Sequence, residues 1–405
     1  AVGRYALNEN VTGTENTATG LSALRVNTGS YNSAFGKSAL EANTGGTYNA
    51  AFGAYSLDGN TTGDYNTAIG TYALGDQTTG DNNTALGFKA LKYNTTASNN
   101  TAVGYEALHV NTTGDQNVAI GAYALDACTT GSNIVAIGAY ALSSSTSSGN
   151  NIAIGRRAAF STTTAGDIIA IGYQALHDNT TGAHNIALGR NALYNNTTAA
   201  YNIAIGRDAL EANETGAQNI AIGYDALTTA TGVNYSLAIG LNSQKNNQSG
   251  DSNVSLGWQT MKDLTTGDSN TAVGNEAMEK TTTGVQNTAL GRTALYNNTT
   301  GGNNTAIGQS ALKANTTASY NTAVGRTALF ANTTGTNNTA VGYQALNANT
   351  TNSHNTAVGY NALLNNDAQY NTACGKEAVQ ANTSGSRLVG VGNRALYSNT
   401  TGNHN

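Results

Sequence analysis

The chain has 405 residues, a formal net charge of only −5, 10% charged residues and no proline. Charge this sparse lacks the basic stripe that nucleic-acid binding needs, and apolar residues held in fixed register argue against disorder. No apolar run of about eighteen residues is available to span a membrane, and no stretch reads as a signal peptide.

From the first residues onward a glycine returns every seventeen positions: Gly3, Gly20, Gly36, Gly53, Gly70, Gly87 and so on to Gly359, Gly375 and Gly392. There are 24 copies, with intervals of sixteen only from Gly20 to Gly36 and from Gly359 to Gly375. Self-similarity this strict specifies a stacked, one-dimensional architecture. Seventeen residues are too few for a helical repeat, which takes about 33 or more. They suit two short strands and two turns. The expected fold is therefore all-β: a parallel β-solenoid, or β-roll, of about 24 coils filling residues 1–405 as a single continuous array. At ~4.8 Å per coil it would reach roughly 115 Å. The chain opens inside a repeat and stops at Asn405 just before the next strand, so it reads as an excerpt of a longer fibre protein.

Within each copy the strand comes first. One residue before the glycine stands Ile, Val or Leu (Ile69, Leu86, Val103), and three before it Thr, Val or Ile (Thr67, Thr84, Val118). These two positions share a face, and the pattern puts them in the core with the leucine four after the glycine (Leu24, Leu74, Leu193). Between them lies alanine in 22 of 24 copies, with only Ser255 and Gly390 departing. So constant a small residue points to close contact with another surface. The preferred reading is a symmetry axis where identical chains pack Ala ladder on Ala ladder; the other is a flattened single coil. From Val118 to Val254 the residue three before the glycine is aliphatic, which predicts a drier, stiffer middle. The N-T-T-G segment closes the copy as a turn, with Asn and Gly in left-handed conformations. Asn recurring four before and seven after the glycine predicts amide ladders, and proline, which cannot donate to a ladder, is absent.

The strand motif, as Asn117-Val118-Ala119-Ile120-Gly121 and Asn219-Ile220-Ala221-Ile222-Gly223, resembles the head repeat of YadA-like trimeric autotransporter adhesins. The longer unit from Asn338 to Leu346 resembles repeats of phage and bacterial tail-fibre-like proteins. The resemblance implies a left-handed β-roll, a homotrimer or filament, and an extracellular adhesive head or shaft on a cell surface or virion. Here a longer N-T-T-G turn is added to the unit.

No catalytic constellation, cofactor site or metal site emerges. The two cysteines, Cys128 and Cys374, are read as free thiols, with an interchain bridge at Cys128 as the lesser alternative. His177, His184 and Asp178 flank one turn without fixed geometry, and the lone carboxylates of turns such as Asp64, Asp81, Asp115, Asp251 and Asp268 are too few for calcium. Two outward features are candidates for function. Tyrosines just after the glycine (Tyr72, Tyr105, Tyr123, Tyr140, Tyr173, Tyr224, Tyr343, Tyr360) would offer flat apolar area to a glycan or cell-surface receptor, or else cover neighbouring coils. Asn60, Asn94, Asn111, Asn179, Asn196, Asn298, Asn315, Asn332, Asn349 and Asn399 each open an N-T-T sequon, a candidate glycosylation site. The leading expectation is a non-enzymatic extracellular fibre or adhesin shaft that acts by reach, stiffness and multivalency. The alternatives are an ice- or crystalline-surface-binding solenoid and a single-chain glycosylated filament. The ice reading needs Thr ranks on an exposed flat sheet, and the pattern places strand Thr on the inward face.

Overall fold

The computed structural model describes residues 1–405. From the second copy on, each copy contributes one three-residue strand that ends just before the marker glycine, from β1 (Thr17–Thr19) to β23 (Val389–Val391). The 23 strands are one fewer than the glycine copies, because the first copy supplies only the isolated bridge Val2–Thr19. The chain falls into two units, Ala1–Asn202 and Ile203–Asn405. Within each, every strand pairs in parallel with the strand of the next copy. Thr84, Ala85 and Leu86 sit opposite Thr101, Ala102 and Val103 in the first unit. In the second, Thr305, Ala306 and Ile307 sit opposite Thr322, Ala323 and Val324. Both units are parallel β-solenoids, as the periodicity predicts. The two sixteen-residue intervals leave the ladder intact: Thr17 still meets Ser33 and Thr356 still meets Thr372, so the missing residue is taken from a turn.

The faces of the strand are the reverse of the expectation. Alanine points into the coil: Ala102, with Ala107 and Leu108 of the same coil, is 0% exposed. The flanking Thr101 and Val103 are only half-buried, and Val358 and Leu290 are exposed. Most coils thus close their own core from two alanines and one leucine, with substitutes such as Ser255, Gln244, Met261, Met278 and Val379 in others, and in the second unit such residues form one cluster from Met261 to Leu388. Alanine recurs because a coil this narrow has room across from its leucine only for a methyl group. The Ala ladder is therefore not a surface where chains meet. The aliphatic block from Val118 onward is not a dry core either, because its side chains lie on the outer strand face.

The turns also differ from the expectation. The left-handed residues are neither the Asn nor the Gly of N-T-T-G. They stand two and four after the marker glycine and five before the next, as in Glu106 (φ 50°), Leu108 (φ 50°) and Gln116 (φ 61°). The turn asparagines are present for their side chains, which form the expected ladders. Asn111 Nδ2 donates to Asn94 Oδ1 at 2.8 Å and to the Gly114 carbonyl at 2.9 Å. In the second ladder the backbone N–H of Asn117 donates to Asn100 Oδ1 at 2.9 Å, while Asn100 Nδ2 reaches the same Gly114 carbonyl. Two buried amides per coil therefore satisfy turn carbonyls that would otherwise be buried unpaired.

Candidate functional surface

The strand's outer face presents two ranks in register. Within the first unit, Val118/Ile120, Val135/Ile137, Ile152/Ile154, Ile169/Ile171 and Ile186/Leu188 occupy successive coils, all half-buried or exposed. Within the second, Ile203/Ile205 to Val254/Leu256 continue the type, and from Thr271 to Thr372 threonine takes the first rank. Within each unit the aliphatic ranks are partly solvent-exposed, with Ile120, Ile152 and Ile171 exposed in the first and Leu256 in the second; apolar faces of this kind commonly mark interaction surfaces. The hydroxyls of the strand threonines Thr305, Thr322 and Thr339 donate to no protein group, whereas turn threonines spend theirs on the next coil, as Thr316 Oγ1 does to the Thr333 carbonyl at 3.1 Å.

The sequon asparagines lie inside the turns. Asn60, Asn94, Asn111, Asn179, Asn196, Asn298, Asn315, Asn332 and Asn349 are 0% exposed, and Asn399 in the last turn is half-buried. Their amide nitrogens, the atoms a glycan would use, donate to turn carbonyls, as Asn332 Nδ2 does to Gly335 O at 2.9 Å and Asn60 Nδ2 to Gly63 O at 3.0 Å. The folded coil leaves no free amide there.

The eight tyrosines after the glycine lie at the surface, with Tyr72 and Tyr123 half-buried and Tyr105, Tyr140, Tyr173, Tyr224, Tyr343 and Tyr360 exposed. Several of their ring faces are occupied. Tyr72 stacks on Tyr55 at 5.1 Å, Tyr123 on Tyr140 at 5.0 Å and Tyr343 on Tyr360 at 5.4 Å. Arg190 and Arg207 lie over Tyr173 and Tyr224. A more exposed set, five before the glycine, escaped the sequence reading: Tyr31, Tyr48, Tyr65, Tyr201, Tyr235 and Tyr320. The available signal was the variety of large polar and aromatic residues five before the glycine (Tyr, Asn, Gln, His), which marks a position turned to solvent.

The histidines do not converge. His177 is sandwiched between Phe160 and Tyr194 at 5.1 and 4.8 Å, with Nδ1 against Asp178 Oδ1 at 2.6 Å. His184 stacks instead on Tyr201 and faces Asp167 at 4.0 Å. No group of three His, Cys, Asp or Glu gathers as a metal site. The turn aspartates accept backbone N–H groups from the neighbouring coil, Thr47 to Asp64 at 2.6 Å and Asp64 to Asp81 at 2.7 Å. Their role is to lock one coil to the next. Cys128 is buried with its thiol pushed up by burial, so an interchain bridge there is closed off, while Cys374 is exposed on the strand's outer face.

One stretch of the first unit is dense in ionisable groups. Burial, aided by Asp76 and Glu41 nearby, pushes Asp58 up to about 6. Burial also pushes Asp126 up to about 6 and holds His109 below its usual value. A depression of about 320 Å³ lined by Tyr5, Asn8, Glu9, Ser22 and Arg25 holds a 3.3 Å Arg25–Glu9 ion pair.

These features define a parallel β-solenoid repeat protein whose distinctive surface is an unpartnered strand face. No known protein family and no curated protein sequence matches the chain.

Proposed function

We propose that this chain is a non-enzymatic structural repeat of an extracellular fibre or adhesin shaft, and that it associates with further copies of itself, as a homotrimer, through the outer strand ranks. The observation that carries this reading is the aliphatic double rank, Val118/Ile120 to Ile186/Leu188 in the first unit and Ile203/Ile205 to Val254/Leu256 in the second. Burying apolar surface is worth about 25 cal/mol per Å², so ranks repeated over many coils favour association strongly. The likeness of the strand motif to trimeric adhesin heads supports the same reading. Cys374 stands in the second rank between Val358 and Val391 and tests it. In the native assembly its thiol should alkylate slowly and join chains through a short bis-maleimide, with buried Cys128 silent. Alkylation at the rate of a free thiol would contradict the proposal.

A second reading is favoured by one observation. From Thr271/Val273 to Thr356/Val358 the outer face carries a rank of threonines beside an aliphatic rank, without a charge, which sets Thr outward on a sheet as ice binding needs. Inhibition of ice recrystallisation by a particle of single-chain mass would establish it in place of self-association.

A further inference from the structure

A tyrosine ladder on the first unit has a geometry that selects a ligand. Tyr31, Tyr48 and Tyr65 stand in consecutive coils, five residues before Gly36, Gly53 and Gly70. Their rings stack with centroids 4.7 and 5.1 Å apart and interplanar angles of 2° and 5°. Each holds a left-handed backbone, φ 58–61°, and they are 44, 49 and 57% exposed. Stacked this way, the rings cover one another's faces. What solvent meets is a column of ring edges and phenol hydroxyls, one per coil. A single sugar seeking a flat aromatic face finds none on the middle ring. An extended polymer whose residues recur at almost the coil spacing finds a matching rank.

We propose that the Tyr31–Tyr48–Tyr65 column binds an extended β-1,4-linked polysaccharide laid along the coil axis. One residue of such a chain spans nearly one coil and each residue is turned over relative to the last, so Tyr31 and Tyr65 meet equivalent sugar hydroxyls while Tyr48 meets a hydroxyl of the inverted residue between them. The adjacent column supplies further acceptors. Asp64 uses Oδ1 for the N–H and hydroxyl of Thr47, at 2.6 and 2.9 Å, which leaves Oδ2 for a sugar hydroxyl. An α-1,4-linked glucan curls and loses register within a few residues. The site deepens the surface-fibre reading by naming a ligand class, yet it lies in the turn column and apart from the strand ranks.

The test is binding of the full chain to cello- and chito-hexaose, with maltohexaose as the curled control, by isothermal titration. The proposal predicts binding of a β-1,4 hexaose and none of maltohexaose. Tyr48→Phe/Tyr65→Phe should weaken binding at least tenfold while leaving the melting temperature and particle mass unchanged. Failure of the wild type to bind either β-1,4 hexaose would overturn it, as would undiminished binding by the double Phe variant or equal binding of maltohexaose. A wrong assignment of the strand face would appear in the particle mass and leave this result untouched.

Discussion

Gly308 lies directly against Gly325 of the next coil: a methyl group added to Gly308 would stand 2.6 Å from the carbonyl carbon and oxygen of Gly325. Its φ of +131° is also one that side-chain-bearing residues rarely adopt. The seventeen-residue marker is therefore a backbone contact between coils and more than a turn signal. Gly308→Ala should cost about 3–5 kcal/mol from strain and overpacking together, measured by guanidinium unfolding of the full chain. Gly45→Ala is the control: its methyl would meet nothing nearer than Thr62 Cγ2 at 3.8 Å, and its effect should stay within about 0.5 kcal/mol.

The amide ladder makes a second prediction. Asn315 Nδ2 donates to Asn298 Oδ1 at 2.9 Å and to Ala318 O at 3.1 Å, fully buried. Asn315→Asp keeps the shape and removes the donor, setting a carboxylate against two acceptors. The loss should be about 3 kcal/mol at neutral pH. A buried carboxyl facing two acceptors, with only Asn332 Nδ2 donating to it, is stabilised by taking up a proton that can be donated, so the loss should shrink at pH 4, as thermal melts at the two pH values would show.

Three left-handed residues per coil carry a steric cost that glycine would avoid. Gln116 is exposed, with φ 61°. Gln116→Gly should raise stability by about 0.5 kcal/mol, relief of the left-handed strain exceeding the added unfolded-chain entropy. The β-branched Gln116→Val should lower it by about 1 kcal/mol or more. Melting temperatures of the pair, moving in opposite directions, check this.

Stability should also depend on pH through Asp58 and Asp126, each raised from 3.8 to about 6. The folded chain holds these protons more tightly than the unfolded chain. Their contribution is complete below about pH 4 and is lost as pH rises through about 6. Solvent screening of these half-exposed groups limits the effect to about 1 kcal/mol in all. His109, lowered by burial, acts in the opposite sense, favouring the fold above the usual histidine range and losing that support as pH falls through it. Melting of Asp58→Asn/Asp126→Asn across pH 4–7 should lack the alkaline-side loss and retain the histidine-dependent one.

The period, the strand and the asparagine ladders were legible because each repeats in residue identity, as Asn321 and Gly325 show. Which strand face turns inward was not. A period of two separates Thr322 and Val324 from Ala323 without saying which side is the core, and hydrophobicity alone favours the larger side chains. Coil width decides it, and width is a tertiary quantity, visible only once Leu329 and Ala323 are found buried in one core. Left-handed leucines were equally hidden, because Leu329 at φ 52° defies local preference and is held there by its buried side chain. Of the tyrosines, those just after the glycine were read as surface contacts or as cover for neighbouring coils; Tyr31 and Tyr48 were missed, and their stacking depends on the exact superposition of coils. The sequons illustrate the same limit: N-T-T reads as an acceptor until Asn332 is found buried with its amide engaged.

The central claim is that the coils close their own cores and meet other chains through the aliphatic ranks. The most direct test is native mass by light scattering on a size-exclusion column. The account predicts a particle of three times 41.2 kDa, reduced to 41.2 kDa by Ile154→Lys/Ile171→Lys with an unchanged circular-dichroism spectrum. A wild-type chain of 41.2 kDa, or a lysine variant whose mass does not fall, would contradict it.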